Sequence, residues 1–315
     1  MRKYIFILVA TCLISCVKER DQFIPNNEDY PTNALKSLIP SKSLQVNLKH
    51  NKAYELTTAN NSYLEIDNGV FAASLENNSS YDLKVIELTS YVDYILQNVD
   101  HESNIGITNT LYSFYISAEQ DGNPLDVQEG KSMKIRFTSE NMGSNLALGY
   151  GQLKDNILKW DYYSSNLNSR VSYIAWETID ENGQMKTEYG YEIIVNSQGW
   201  YSLVTKEGVS NAGSSICLNY NPIYTNENTA SYLLMNDKNY ISKLKMINDN
   251  SSSFCLWDLP ATDEDPYTII SISKTEDGQY HYFKTDVEMD GSADEINVFP
   301  SELNFDELRT ELEKL

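Results

Sequence analysis

Residues 111–119 carry the sequence LYSFYISAE, in which large or apolar side chains stand at every second position: Tyr112, Phe114, Ile116 and Ala118. A period of two is typical of a strand with one buried face. Residues 133–137, MKIRF, alternate in the same way, and the turn-forming residues QDGNP lie between the two segments. The sequence therefore predicts two half-buried antiparallel strands here.

Similar strand signals extend from this pair toward both ends of the chain. They begin near residue 44 and recur up to about Trp160. Within them, residues 81–96 are rich in Val, Ile, Leu and Tyr, and the alternation changes phase between Val85 and Ile86. A phase change inside a strand predicts a β-bulge.

The second half of the chain predicts two hairpins and one helix. One hairpin turns at DENG, residues 180–183, and the other at Asp277 and Gly278. Apolar residues recur at helical spacing only near the end, at Phe305, Leu308, Leu312 and Leu315, with Ser301 as a candidate cap. The fold class predicted is all-β, with a short C-terminal helix.

The chain divides into five predicted segments. They are a lipoprotein signal peptide (1–15), a lipidated tether (16–40), a first β-sandwich (41–165), a second β-sandwich-like domain (166–300) and the C-terminal helix (301–315). The tether prediction rests on a polar, aperiodic sequence with Pro25, Pro31 and Pro40.

The N-terminal segment predicts export and lipidation. Arg2 and Lys3 precede an apolar run that is too short to span a membrane, which is typical of a secretory signal. LISC, residues 13–16, resembles the bacterial lipobox, and this resemblance implies cleavage before Cys16 and lipid on its thiol. VKERD, residues 17–21, resembles the export tag of Bacteroidota surface lipoproteins, which implies an outer-membrane anchor and a body facing the exterior.

The charge balance limits the partners. Asp and Glu number 45 against 24 Lys and Arg, a formal net charge of −21. Nucleic acid is therefore not an expected partner, and an anionic membrane surface would repel the body. Contact with the outer membrane is expected through the acyl chains alone.

Two cysteines remain once Cys12 is removed with the predicted signal peptide and Cys16 is lipidated. Cys217 and Cys255 would meet an oxidising compartment, where they could form a disulfide. Each also lies in an apolar, strand-like run, where a lone cysteine is usually a small buried side chain. Both interpretations stay open, and two free thiols in the denatured, unreduced protein would exclude the disulfide.

A family resemblance rests on the order of several short motifs. Residues 117–125, 130–137 and 148–151, followed by Trp160, resemble uncharacterised Bacteroidota surface lipoproteins with a ZU5-like β-sandwich. The second region resembles small transthyretin-like or carboxypeptidase-regulatory-like sandwiches. The resemblance implies a protein-interaction module. The chain departs from it after Gly199-Trp200-Tyr201, where Ser-Leu-Val replaces an expected Asn-Cys-Asp.

No catalytic motif is present among the three histidines His50, His101 and His281. Some ZU5-like domains cleave themselves at a His-x-Ser site, and His101-Glu102-Ser103 matches that pattern, although its polar surroundings favour an ordinary loop. The chain is therefore predicted to be no enzyme and to need no cofactor. A hydrolase built from residues of distant strands is the third hypothesis.

An acidic segment near the C-terminus follows the spacing of a calcium loop: Asp286, Glu288, Asp290, Ser292 and Asp294. Glu288 is long for its position, and Asn297 replaces the bidentate glutamate that such loops require. These departures favour a solvated acidic hairpin, and no metal site is predicted.

Five aromatic residues are the candidate ligand contacts: Trp160, Tyr162, Tyr163, Trp200 and Tyr201. Such side chains can stack on sugars or anchor a protein partner, and they can equally pack in a core. The preferred hypothesis is a non-enzymatic outer-membrane lipoprotein that mediates protein interaction or assembly at the cell envelope. The alternative is a glycan-binding accessory lipoprotein.

Overall fold

The computed structural model describes most of the chain after residue 29. The described residues are 30–39, 42–71, 79–103, 105, 108–140, 142–143, 145–154, 157–162, 170–179, 182–205, 213–235, 239–247, 252–259, 266–289 and 292–315. Of the described residues, 57% are in strands and 10% in helices, which confirms the all-β prediction.

The elements follow one another in a strand-rich order. They are α1 (Pro31–Leu38), β1 (Ser43–Lys49), β2 (Tyr54–Thr57), β3 (Tyr63–Ile66), β4 (Ser80–Leu88), α2 (Tyr91–Gln97), β5 (Asn109–Gln120), β6 (Asn123–Pro124), β7 (Met133–Thr138), β8 (Leu146–Lys154), β9 (Ile157–Asp161), β10 (Arg170–Ile179), β11 (Met185–Val195), β12 (Gly199–Thr205), β13 (Ser214–Asn219), β14 (Thr229–Met235), β15 (Tyr240–Lys243), β16 (Lys245–Met246), β17 (Ser253–Leu259), β18 (Tyr267–Lys274), β19 (Tyr280–Val287), β20 (Ala293–Asn297), β21 (Ser301–Leu303) and α3 (Phe305–Leu312).

The first two sheets form an N-terminal sandwich. The first sheet has the strand order β1-β4-β5-β12-β8-β9, with β6 on the edge of β5, and the second has the order β10-β11-β7-β3-β2. The predicted strands β5 and β7 lie in opposite sheets, so Phe114 and Ile135 meet in the core between them. Alternation was detectable in both strands because each has only one face in this core.

The other two sheets form a C-terminal sandwich. The third sheet has the order β15-β14-β18-β19-β21, and the fourth has the order β16-β17-β13-β20. Leu233 and Ile269 of the third sheet pack against Ile216 and Phe254 of the fourth. Every residue of β14 is buried, because this strand has a core on each face.

The three helices share one core with the first and third sheets, and this core joins the two sandwiches. Leu35 of α1, Ile95 of α2 and Leu308 of α3 are fully buried in it. Ile86 of the first sheet and Ile272 of the third sheet belong to the same cluster. Of the described helices, none is long and apolar enough to cross a membrane.

The domain boundary at residues 165 and 166 is corrected by the sheet order. β11 pairs with β7, and β12 lies between β5 and β8, so residues 170–205 complete the N-terminal sandwich. The boundary therefore falls between Thr205 and Ser214. Pairing of strands that are far apart in the chain leaves no local sequence signal, which is why the prediction missed it.

The predicted tether is also shorter than residues 16–40. Tyr30 is buried and residues 31–38 form α1, which contacts α2, β14 and β18. Pro31 occupies the first helical turn, where its missing N–H costs nothing. Cys16 and the remainder of the predicted tether lie outside the described residues.

The β-bulge predicted between Val85 and Ile86 is absent from the described register. β4 pairs with β1 and β5 without a shift. The phase changes because Val85 faces the sandwich core while Ile86 faces the core shared with the helices. After Leu88 the chain forms α2, which begins with a capping box between Ser90 and Asp93.

Both hairpins and the C-terminal helix are confirmed. β10 pairs with β11 and β18 pairs with β19, each across the predicted turn. Asn304 caps α3 through a capping box with Glu307, whereas the candidate cap Ser301 lies in β21.

Candidate functional site

Most of the predicted ligand aromatics lie in the core. Trp160 and Tyr162 are buried, and the Trp160 indole Nε1–H donates to the Asp100 carbonyl oxygen at 2.7 Å. Tyr201 is fully buried, with its ring stacked on that of Phe114. These three side chains therefore do not form an exposed stacking surface. Tyr163 lies outside the described residues.

Trp200 is the one member of the five that keeps partial exposure in the described structure. Its ring lies 5.1 Å from that of Tyr115 at the margin of the core shared with the helices. Packing on one side leaves only part of the indole open to solvent. Trp200 and the buried Tyr201 could not be distinguished from the sequence, because the two aromatic residues are adjacent after Gly199.

The two remaining cysteines are brought together. Cys217 of β13 and Cys255 of β17 occupy directly opposed register positions with Cα atoms 4.2 Å apart, and their sulfur atoms are bonded. The disulfide crosses the fourth sheet. Of the two interpretations that the sequence left open, the structure contains the disulfide.

The acidic segment shows no metal site in the described part of the chain. No group of three or more His, Cys, Asp and Glu side chains there could hold a metal ion. The Asp286 carboxylate accepts a hydrogen bond from the Thr268 hydroxyl at 2.7 Å, across the β18–β19 pair. Asp290 lies outside the described residues.

The three histidines pack in three separate places. His50 is buried beside Tyr81, and His281 contacts the Tyr224 hydroxyl. His101 is fully buried, and burial lowers its pKa to about 3. Its backbone N–H donates to the Ile241 carbonyl, so the residue links the two sandwiches. Among the described residues, no two histidines form a shared site.

Three of the eight large apolar side chains that are exposed among the described residues lie on the outer part of the β10–β11 hairpin, here called the arm (residues 175–179 and 185–189). On one face, Ile179 lies opposite Met185 and Ala175 lies opposite Tyr189, and the exposed pair Glu177 and Thr187 lies between these two pairs. Ile179 is 74% exposed, Met185 71% and Tyr189 58%. Exposed apolar side chains on adjacent strands are a mark of an interaction surface.

The arm extends beyond the end of the neighbouring strand β7. β11 pairs with β7 only from Gly190 onward. At Gly190, a Cβ atom would lie 2.1 Å from the Phe137 carbonyl oxygen. Only glycine fits this close approach of the two backbones. Where the arm joins the sandwich, the Tyr173 hydroxyl donates to the Ser139 carbonyl oxygen at 3.1 Å. Met142, which is also exposed, lies between β7 and β8.

β10 also forms one edge of the second sheet. No described strand pairs with its outer side. Its ten residues contain no proline, and Arg170 and Glu177 are the only charges. Edge strands are usually protected by charges, prolines or bulges. An edge with so little protection can hydrogen-bond an extended segment of another protein.

The arm was not predicted as a site. The hairpin is visible in the sequence, but alternation cannot tell which end of a strand extends past its neighbours. Ile179 and Met185 flank the DENG turn, where polar residues are the usual choice. Apolar residues at these two positions were the available signal.

Comparison with known proteins provides no relative. No family model matches the chain, and no curated protein matches its sequence. A solved structure of the Bacillus anthracis TIE protein aligns at 10% identity over 70% of this chain and 41% of that chain. Its TM-score is 0.20, at which the similarity carries no structural or functional argument.

Proposed function

We propose that the protein is a non-enzymatic outer-membrane lipoprotein, displayed at the cell surface, that binds a protein partner of the envelope through the arm. The observation that carries this proposal is the pairing of two features on one hairpin. The arm has an exposed apolar face at Ile179, Met185 and Tyr189, and β10 has a free edge. The LISC motif at residues 13–16 supports the anchor.

A bound protein segment would stabilise both the exposed apolar side chains of the arm and the free edge of β10. Covering the exposed Ile179 and Met185 side chains removes apolar surface from water, which stabilises a complex by about 25 cal/mol per Å² before the costs of association. A strand added to β10 satisfies its outward N–H and C=O groups and orients the partner. A protein segment supplies both apolar side chains and a main chain.

The glycan-binding alternative has less support. Its stacking surface depended on five aromatic residues, of which Trp160, Tyr162 and Tyr201 are buried. The hydrolase alternative needs converging polar groups, and the described histidines lie apart. We therefore rank protein binding first.

The test is crosslinking in intact cells that express the full-length protein, followed by identification of the captured envelope protein. We expect one defined partner with the wild type and at least a tenfold lower yield with Ile179→Asp combined with Met185→Asp. Ile223→Asp is the matched control, because Ile223 is also exposed, at 57%, but lies in the C-terminal sandwich. Equal yields from all three proteins would contradict the proposal.

Surface display is tested separately by treating the same cells with protease. Loss of the full-length protein from intact cells places the body outside. Complete protection would place it in the periplasm and would require the partner to be sought there.

A further inference from the structure

Positive charge is concentrated in one segment of an otherwise acidic chain. Residues 30–54 contain four lysines and no Asp or Glu, whereas residues 55–315 contain 41 acidic and 16 basic residues. The net charge of −21 therefore describes the molecule as a whole and not this segment. Repulsion from an anionic membrane, which the net charge predicts, does not act equally on every face.

The structure brings these lysines to one edge of the N-terminal sandwich. Their segment forms α1 and β1, and β1 is an edge strand of the first sheet, next to β4. Together with one lysine of β4, they form a surface here called the basic edge: Lys36, Lys42, Lys49, Lys52 and Lys84. All five side chains are exposed. Partial burial lowers the pKa of Lys36 and the charge of Lys84 lowers it further, so these two ammonium groups lie close together.

The lysines of the basic edge have no carboxylate partner within the described part of the chain. The ion pairs there involve other lysines and arginines. Asp82, which lies two residues before Lys84 in β4, accepts a hydrogen bond from the Asn47 side-chain amide at 2.8 Å. An anionic partner can therefore bind the basic edge without breaking an ion pair inside the protein.

An exposed leucine lies beside the basic edge. Leu38, two residues after Lys36, is 50% exposed, although the other side of α1 packs in the shared core. Lysines next to an exposed apolar side chain suit a lipid surface. The ammonium groups meet the headgroup phosphates, and the apolar group enters the boundary of the acyl region.

The predicted lipid anchor would hold the basic edge close to a membrane. Tyr30 follows Cys16 by fourteen residues, and a chain of that length spans at most about 50 Å. The eight residues of α1 add only about 12 Å along the helix axis. An anchored body meets the membrane surface at a high effective concentration. Weak contacts, each contributing about 1 kcal/mol per lysine, can then form.

We propose that the basic edge lies against the anionic lipid headgroups of the membrane that carries the anchor. This inference rests on the lipidation of Cys16, which belongs to the proposed function. Salt screens charges that are more than about 10 Å apart at 0.1 M. The acidic remainder of the body lies further from the surface, so its repulsion is weak, whereas the lysines lie within the range of attraction.

This orientation turns the arm away from the membrane. The Lys49 backbone N–H donates to the Tyr54 hydroxyl at 2.8 Å, which brings the end of β1 next to β2. β10 is the opposite edge of the second sheet, four strand spacings or about 19 Å from β2. The free edge of β10 would then point away from the lipid, where a protein partner can reach it.

The test is lysine labelling of the full-length protein on lipid vesicles. The protein is reconstituted into vesicles of phosphatidylcholine alone or with phosphatidylglycerol added, floated, treated with an amine-acetylating reagent and analysed by mass spectrometry. We expect Lys36, Lys42 and Lys49 to react at least threefold more slowly on the anionic vesicles. The difference should disappear at about 1 M NaCl, where the screening length is about 3 Å. Lys186 on the arm, 63% exposed, is the internal control and should react equally on both.

The outcomes separate this inference from the anchor itself. Protein that floats with the vesicles but labels equally on both kinds overturns the inference and leaves the anchor intact. Protein that does not float contradicts the anchor, and the inference falls with it.

Charge-reversal variants complete the test. The combination of Lys36→Glu, Lys42→Glu and Lys49→Glu should still float but should lose the slower labelling of Lys52. Lys186→Glu is the matched control and should retain it. Slower labelling of Lys52 in the triple variant would also overturn the inference.

Discussion

At the scale of single residues, His101 shows how burial fixes a protonation state. The Ile241 backbone N–H donates to its Nδ1 at 3.2 Å, and the ring lies edge-on to Tyr94 with centroids 4.6 Å apart. A nitrogen that accepts this bond carries no proton, so the folded protein holds the neutral ring. The sequence showed only a histidine in a polar segment, because the residues that bury it come from β15 and α2.

This burial predicts a loss of stability in acid. The pKa of His101 is lowered to about 3 by burial, so the folded state binds fewer protons than the unfolded state below the ordinary value of 6.5. The full free energy of unfolding is therefore present above pH 6.5. It decreases as the pH falls, by on the order of 4 kcal/mol at pH 3. Denaturation of the wild type and His101→Gln at several pH values checks this prediction, and parallel curves would contradict it.

Between pH 3.8 and about 6, the titration of Asp100 changes the free energy of unfolding in the opposite direction. Its raised pKa favours the folded state below the unfolded value of 3.8, and this contribution is lost as the pH rises through about 6. The difference between wild type and His101→Gln cancels the Asp100 contribution, because both proteins retain that residue.

At the scale of elements, α1 shows that a polar, proline-containing segment can still belong to the core. Leu35 is fully buried against the shared core, whereas Leu38, one turn later, is 50% exposed. We expect Leu35→Ala to lower the free energy of unfolding by roughly 2–4 kcal/mol. Leu38→Ala should change it by less than about 0.5 kcal/mol. Chemical denaturation of both variants checks the docking of α1, and equal small effects would exclude it.

The elements also show where sequence patterns are informative. β5 and β7 were predictable because the large apolar residues that face the sandwich core stand at every second position in each strand. Residues 81–96 were misread because β4 becomes buried on both faces after Val85 and the chain then turns into α2. Neither α1 nor α2 is long enough to show a clear helical period on its own.

At the scale of the whole molecule, the shared core makes the two sandwiches interdependent. It contains Ile86 and Trp160 of the first sheet, Ile270 and Ile272 of the third, and all three helices. A chain cut at the boundary near residue 205 would expose this apolar surface. The sequence could not reveal such a core, because its members are spread along the chain from Tyr30 to Leu312.

Because the two sandwiches share a core, we expect a substitution that destabilises one sandwich to destabilise the other as well. Ile272 is fully buried on the face of the third sheet that meets the helices, so Ile272→Ala should cost roughly 2–4 kcal/mol. If the sandwiches open together, hydrogen exchange will show the same loss of protection in β5 as in β18. Loss confined to β18 would mean that the sandwiches unfold independently. Met185→Ala, on the exposed arm, should alter protection in neither strand.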